Sequence, residues 1–334
     1  MSSLKTAIKK PLAQKTIVIT GASSGAGRAA AMRFAAQHAN LVLASRNAEE
    51  LEEVARECED LGGTMLTVPT DVSKQEEVRE LAQKAVKFIG GIDVWINNAG
   101  VLAAGAFTDT PMSVHEQVIK TNLLGYMNGA HAVLPYFKKQ GYGIIINNIS
   151  VGGFLPVPYG SSYTASKFGL RGFFEALQSE LLPFEEIYVC NMYPCFLDTP
   201  GMQHAANYTG VYIKPAPPVF DPLHLADVMV KLAQHPRNAI NTDSGTPLLR
   251  LAYGLAPSLT RRIMEKVMRT YFKTAPPIQQ TDGNIFMTAD YGNAVYGGWN
   301  SQADASTRKR NLLQGAFAAG IVATGIILLK TRRQ

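Results

Sequence analysis

The stretch Thr20-Gly21-Ala22-Ser23-Ser24-Gly25-Ala26-Gly27 constrains the fold of this chain more than any other part of it. It lies between a short apolar run over residues 16–20 and a helical pattern over 26–37. Glycines at 21, 25 and 27 allow a tight turn and a close backbone approach to a ligand. The helix that follows offers free N–H groups and a positive dipole end to an anion. Strand, glycine turn and helix in that order predict the opening of a βαβ unit that holds a pyrophosphate. The alternation then repeats. Apolar runs at 41–44, 64–68, 94–96, 144–149 and 187–192 alternate with helical patterns at 47–61, 74–89, 112–139 and 162–182. These strands are nearly continuous in hydrophobicity, as buried parallel strands covered by helices on both faces need to be. Right-handed crossovers then make an α/β, Rossmann-like doubly wound parallel sheet the default architecture.

A carboxylate that would bind an adenosine ribose hydroxyl is missing after the second strand, where Ser45-Arg46 stand instead. Arg46 can pair with a 2′-phosphate that a carboxylate would repel, so NADP(H) is favoured over NAD(H). In Tyr163-Thr164-Ala165-Ser166-Lys167 the Tyr and Lys lie four apart on a helical pattern, so both project from one face. A phenol with a pKa near 10 is a poor proton-transfer group at neutral pH, and an adjacent ammonium stabilises its phenolate. A shift of about three units corresponds to roughly 4 kcal/mol.

Together these elements resemble the short-chain dehydrogenase/reductase family over roughly residues 14–235. The matching residues are the glycine motif Thr20 to Gly27, Asp71-Val72, Asn97-Asn98-Ala99-Gly100, Asn122, Ser150, and Tyr163 with Lys167. Ser150 precedes Tyr163 by thirteen residues, the family's common spacing. The resemblance implies that Tyr163 is the general acid in carbonyl reduction and that Ser150 hydrogen-bonds the substrate oxygen. It implies that Lys167 lowers the Tyr163 pKa and binds the nicotinamide ribose, and that Asn122 holds a water leading to solvent. Gly21, Ser23, Ser24, Gly25, Ala26, Gly27, Ser45, Arg46, Asp71, Val72, Asn98, Ala99 and Gly100 would contact the cofactor, as would Pro194, Leu197 and Thr199. Phe154 and Phe196, with Leu102, Leu155 and Pro156, would offer an apolar substrate rim beside Ser150 and Tyr163. Ala26 replaces the common Ile, and Cys195 takes the glycine place in Pro194-Cys195-Phe196-Leu197-Asp198-Thr199. The family's final strand and glycine pair are not evident after residue 236.

Composition matters at the tail. The chain is 46% hydrophobic and 17% charged, an ordinary globular balance that excludes disordered and collagen-like classes. Arg308, Lys309, Arg310, Lys330, Arg332 and Arg333 bracket an apolar run over 312–329, and no acidic residue follows Asp304. Removing those six from the 32 Lys and Arg leaves 26 against 26 Asp and Glu, so no basic nucleic-acid face is expected. As a helix the eighteen-residue run spans about 27 Å, close to the hydrocarbon thickness of a bilayer. The expectation is a single-pass C-terminal membrane anchor. With no signal-peptide pattern at the start, the catalytic body is expected to face the cytoplasm. Three cysteines without a CxxC, and six histidines without HxH or HExxH, give no disulfide framework and no metal site.

The predicted organisation is a basic segment over 1–13, a catalytic domain over 14–235, an extension over 236–307 and the anchor over 308–334. Residues 194–222 read as an irregular segment over the active site, followed by a helix over 223–234. Within the extension, 257–272 reads as a basic amphipathic helix, either packed on the body or lying on an anionic membrane surface. The functional expectation is an oxidoreductase that reduces a lipophilic carbonyl at a membrane, as a homodimer or tetramer. Two alternatives stay open: reduction of a small soluble carbonyl with the tail serving location only, and a non-catalytic NADP(H)-binding membrane scaffold.

Overall fold

The computed structural model describes residues 11–300. Seven strands form one sheet in the order β3-β2-β1-β4-β6-β7-β9: β1 (Thr16–Thr20), β2 (Asn40–Ser45), β3 (Thr64–Pro69), β4 (Val94–Asn97), β6 (Gly143–Asn148), β7 (Ile187–Met192) and β9 (Ala239–Ile240). Every pairing is parallel. A separate parallel pair joins β5 (Ala103–Ala104) to β8 (Ala206–Asn207). The sequence pattern therefore reads six of the seven main strands. The seventh, β9, has two residues between polar neighbours and carries no apolar run of its own.

Helices cover both faces of the sheet, as the uniform apolarity of its strands demands. On one face, α1 (Gly25–Ala35), α2 (Ala48–Asp60) and α7 (Pro222–Gln234) bury Ala30, Phe34, Leu51, Leu225 and Met229 against Ile17, Ile19 and Leu43. On the other, α3 (Gln75–Ile89), α5 (Gly125–Gln140) and α6 (Ser161–Glu180) bury Leu81, Val133, Phe137 and Phe174 against Val18, Val42 and Ile145. Fully burying a side chain such as Phe34 or Phe174 contributes roughly 1.5–3 kcal/mol. The single helix expected over 112–139 is instead α4 (Met112–Ile119), a π turn at Lys120–Leu124, and α5. Side-chain periodicity does not distinguish a π turn from the α-helix around it, and such turns favour functional sites.

The core contains one polar chain. Asn97, Asn147 and Asn191 pair in register on β4, β6 and β7. The Trp95 indole N–H donates to Asn97 (2.8 Å), the Asn97 amide to Asn147 (2.9 Å), and the Asn147 amide to Asn191 (3.0 Å). All three asparagines are at most 1% exposed. The Asn191 amide nitrogen ends the chain without a partner among the described residues.

Past residue 235 the chain returns to the sheet at β9, then forms α8 (Gly245–Leu255) and α9 (Pro257–Thr274). Residues 277–300 run back over segment 198–211. The backbone pairs Asn207 with Thr281 and Val211 with Pro277. Among the described residues no helix is long and apolar enough to cross a membrane. The anchor expected over 308–334 lies outside the described residues.

Candidate active site

β1 delivers the chain into the glycine turn, and neighbouring backbone leaves no room for side chains there. A Cβ on Gly21, which has φ +66°, would stand 2.7 Å from Ala99 Cα. One on Gly27 would collide with the Gly21 carbonyl oxygen. Asn98 donates to the carbonyls of Thr20 (3.2 Å) and Gly21 (3.1 Å) and accepts from Asn148 (2.9 Å). Its side chain thus fastens the turn to β4 and β6. Helix α1 starts at Gly25 with Ser24 as an N-cap whose side chain makes no capping bond. Among the described residues the Ala26 and Gly27 N–H groups donate to nothing, as a helix start built for an anion requires.

At the carboxyl end of β6, Ser150 adopts φ +107°, a strained conformation for a residue with a side chain. Its Oγ accepts from the Gly152 N–H (3.1 Å), and a Cβ on Gly152 would meet Tyr163, Ser150 and Lys167 at once, so the three side chains converge there. Tyr163 stands in the first turn of α6, and Lys167 one turn later. The Lys167 Nζ is 5.6 Å from the Tyr163 ring centre and donates to the Asn148 carbonyl at 3.4 Å. Burial raises the Tyr163 pKa, partly opposed by the nearby Ser150 hydroxyl, and pushes Lys167 down to about 7.

Asn122 sits in the π turn and is fully buried. Its side chain accepts from the Val101 N–H and donates to the Val101 carbonyl, both at 2.8 Å, and also donates to Ser166 Oγ (3.3 Å). Ser166 in turn donates to the Tyr163 carbonyl (2.7 Å). The Asn122 side chain thus acts as a clamp that ties the segment after β4 to the catalytic helix.

The remaining sequence-predicted residues divide. Asp71 accepts from the backbone and hydroxyl of Ser73 (2.9 and 2.7 Å), turning the chain toward α3. Val72 is buried against Gly125, and Ser45 Oγ donates to the Asn47 carbonyl (3.3 Å). The Pro194 carbonyl accepts from the Val151 N–H (2.8 Å), and Thr199 lies beside Gly25. Leu197 bridges to Phe220. The Cys195 thiol, pushed up to about 11 by burial, packs at the first turn of α8, so its extra bulk is housed there. The Arg46 guanidinium is held by the carbonyls of Asn284 (2.6 Å) and Ile285 (3.3 Å). Phe154 and Leu155 are not an open rim: both are under 9% exposed, and the guanidiniums of Arg171 and Arg250 lie 4.8 and 4.3 Å from the Phe154 ring centre. Phe196 is exposed.

The short chain dehydrogenase family profile matches residues 15–209, which span the glycine turn, Ser150, Tyr163 and Lys167. The chain belongs to the short-chain dehydrogenases. An uncharacterized oxidoreductase of Bacillus subtilis, YxnA, is 31% identical over 332 residues, covering 96% of this chain and 93% of that protein. Estradiol 17-beta-dehydrogenase 11 of Macaca fascicularis is 31% identical over 209 residues, covering 62% of this chain and 70% of its own. Among solved structures, an alcohol dehydrogenase from the archaeon Thermococcus sibiricus, complexed with 5-hydroxy-NADP, superposes with a TM-score of 0.61 at 26% identity. It covers 68% of this chain and 95% of its own.

Within this short-chain dehydrogenase, sequence reasoning missed three groups. Ser166 carries the link from Asn122 to Tyr163, and only its place inside the YxxxK spacing hints at it. Asp243 accepts from the N–H groups of Cys195 (2.7 Å), Gly245 (3.0 Å) and Thr246 (2.9 Å), fixing the chain after β7 to the start of α8. The third is the segment over 284–299, whose contacts to Gly25, Arg28 and Arg46 are made by its backbone carbonyls and so leave no sequence mark.

Proposed function

We propose that this oxidoreductase reduces a lipophilic carbonyl with NADPH at a membrane surface, with Tyr163 as the proton donor. The observation that carries the reading is the convergence of half-buried Ser150 and Tyr163 with buried Lys167 at the carboxyl end of the sheet, two strands from β1 and its glycine turn. The turn fits a dinucleotide, because Gly21 and Gly27 leave a cradle that a Cβ would fill and Ala26 and Gly27 present free N–H groups. When bound there, the nicotinamide supplies the hydride. Ser150 and Tyr163 then place two hydroxyls on the carbonyl oxygen, stabilising the negative charge that develops on it. Tyr163 gives that oxygen its proton. Lys167, titrating near neutrality, takes part in replacing it.

Lipophilicity and a membrane are supported by the α8–α9 hairpin. Pro247, Leu248, Leu251 and Leu255 share one side of α8 and are exposed, as are Leu259 and Val267 on α9. Exposed Arg261, Arg262, Lys266, Arg269 and Lys273 flank them, the arrangement of a surface that rests on anionic lipid. The hairpin adjoins the site: Arg250 lies over Phe154, and Phe272 packs on Tyr159 (4.8 Å), just ahead of α6. A relative named for estradiol adds weight to a lipophilic substrate.

NADPH oxidation by the full chain in detergent, over ketones of short and long acyl chains, tests the substrate class. Long chains are expected to have a kcat/KM at least about tenfold higher, which two buried methylenes supply; equal values would reject lipophilicity. Arg46→Ala is expected to raise the KM for NADPH about 10–100-fold, the worth of a charge-assisted phosphate contact, and to leave NADH little changed. An unchanged preference between the two would remove Arg46 from the phosphate site.

A further inference from the structure

We propose that residues 284–299 are a strap that competes with the cofactor for its own binding groups, so that the nucleotide binds only after the strap has lifted from Gly25 and Arg46. The inference rests on the nucleotide site placed above at the glycine turn.

Two groups assigned to the cofactor's phosphates are held by carbonyl oxygens of this one segment. The Gly25 N–H, the first donor of α1, donates to the Ala294 carbonyl at 3.0 Å. Arg46 donates through Nη2 to Asn284 (2.6 Å) and Met287 (3.5 Å), and through Nη1 to Ile285 (3.3 Å). Next to Gly25, Arg28 donates to the Asn293 carbonyl at 2.6 Å while paired with Glu53 and Glu57. A backbone N–H carries one proton, so Gly25 cannot serve Ala294 and a phosphate oxygen together. The strap's carbonyls are partial negative charges set where an anion's oxygens would lie.

The strap also reaches the reaction centre. Ile285 is fully buried in a cluster with Val101, Ala103, Val118 and Ala206, and Tyr163 packs against that cluster. Two concavities, of about 600 Å³ and 430 Å³, lie away from the strap, the first beside Phe107, Met112 and His115 and the second beside Pro247, Arg250 and Leu255.

The strap is held mostly by polar contacts that water can replace: in its middle the Tyr291 carbonyl lies 2.7 Å from His204 Nε2 and the Tyr296 hydroxyl donates to Asp221 (3.1 Å), while Val295 packs on the core. At one end the Asn284 N–H donates to the His204 carbonyl (2.9 Å). At the other, the Trp299 backbone N–H donates to Asp198 (2.8 Å) and its indole to the Thr199 carbonyl (2.8 Å). Between them Phe286, Met287, Tyr291 and Tyr296 are exposed, leaving Ile285 as the fully buried apolar anchor. Only the lifted fraction of molecules accepts the nucleotide, and the apparent Kd is raised by the inverse of that fraction.

Hydrogen exchange on the full chain in detergent, with and without saturating NADPH, reads the strap directly. The amides over 284–296 are expected to exchange at least about tenfold faster with NADPH bound, as displacement from a closed state requires. Slower or unchanged exchange would overturn the proposal and make the segment a wall over the cofactor. Ile285→Ser, which loosens the anchor without adding charge near a phosphate, is expected to lower the NADPH Kd at least about tenfold. An equal or higher Kd would overturn it as well. If neither protein binds NADPH or NADH by nicotinamide fluorescence, the cofactor assignment itself fails and the strap proposal falls with it. Wild-type binding without faster exchange condemns the strap alone.

Discussion

Tyr163→Phe is expected to lower kcat for carbonyl reduction about a thousandfold while the Kd for NADPH stays within about twofold of wild type. The loss corresponds to about 4 kcal/mol of transition-state stabilisation. The substitution removes one hydroxyl and keeps a ring that packs against the Val101 and Ile285 cluster, so the site's shape is retained. It deletes the hydroxyl set beside Ser150 and the only proposed proton source within reach of the carbonyl oxygen. Single-turnover reduction with NADPH, measured beside cofactor binding, separates chemistry from affinity. Turnover within about tenfold of wild type would mean that another group delivers the proton. Intact binding with no turnover by the wild-type chain on any carbonyl would favour a nucleotide-binding scaffold.

Lys167→Met makes the second large difference, and it has opposite signs on activity and stability. Activity is expected to fall at least about a hundredfold with the loss of a positioned proton-transfer group. Stability is expected to rise by on the order of 2–4 kcal/mol at or below pH 7, because a buried ammonium is exchanged for a thioether of similar shape. Burial holds the Lys167 pKa at about 7 in the folded chain, against 10.5 when exposed. Between those values the unfolded chain binds more protons, so wild-type stability climbs with pH. The advantage of Lys167→Met is therefore greatest below pH 7 and shrinks as pH rises toward 10.5. Urea unfolding at pH 6 and pH 9 checks it. A methionine variant less stable than wild type at pH 6 would show that Lys167 gains more from its contacts than it loses by burial.

How far the sequence could be read follows from what kind of group makes each contact. Six strands were legible because parallel strands covered on both faces must be apolar along their whole length. The glycine turn, Ser150, Tyr163 and Lys167 were legible because their spacing matches a strand end and a helix turn, and the structure brings them together there. The α8 helix was not, since Gly245, Thr246 and Pro247 open it with poor helix formers. The Asn122 clamp was hidden because an asparagine's spacing does not tell which backbone it will bind. Phe154 read as a rim because apolar side chains after a catalytic strand suit a pocket; Arg171 and Arg250, distant in sequence, draw it into packing instead.

The asparagine chain across β4, β6 and β7 answers a problem posed by the same uniform apolarity. Strands this nearly continuous in hydrophobicity offer little to choose between one alignment and the next, since a slip by one residue still buries a Val or an Ile. A slip here would take Asn147 away from both Asn97 and Asn191 and leave several buried amide groups unpaired, each at about 1–3 kcal/mol. The three carboxamides thus serve as alignment marks, one per strand, in a sheet that could otherwise be assembled out of step. Because the ends of those strands carry Asn98, Ser150 and Pro194, a correct alignment is also what brings the halves of the catalytic site level with each other.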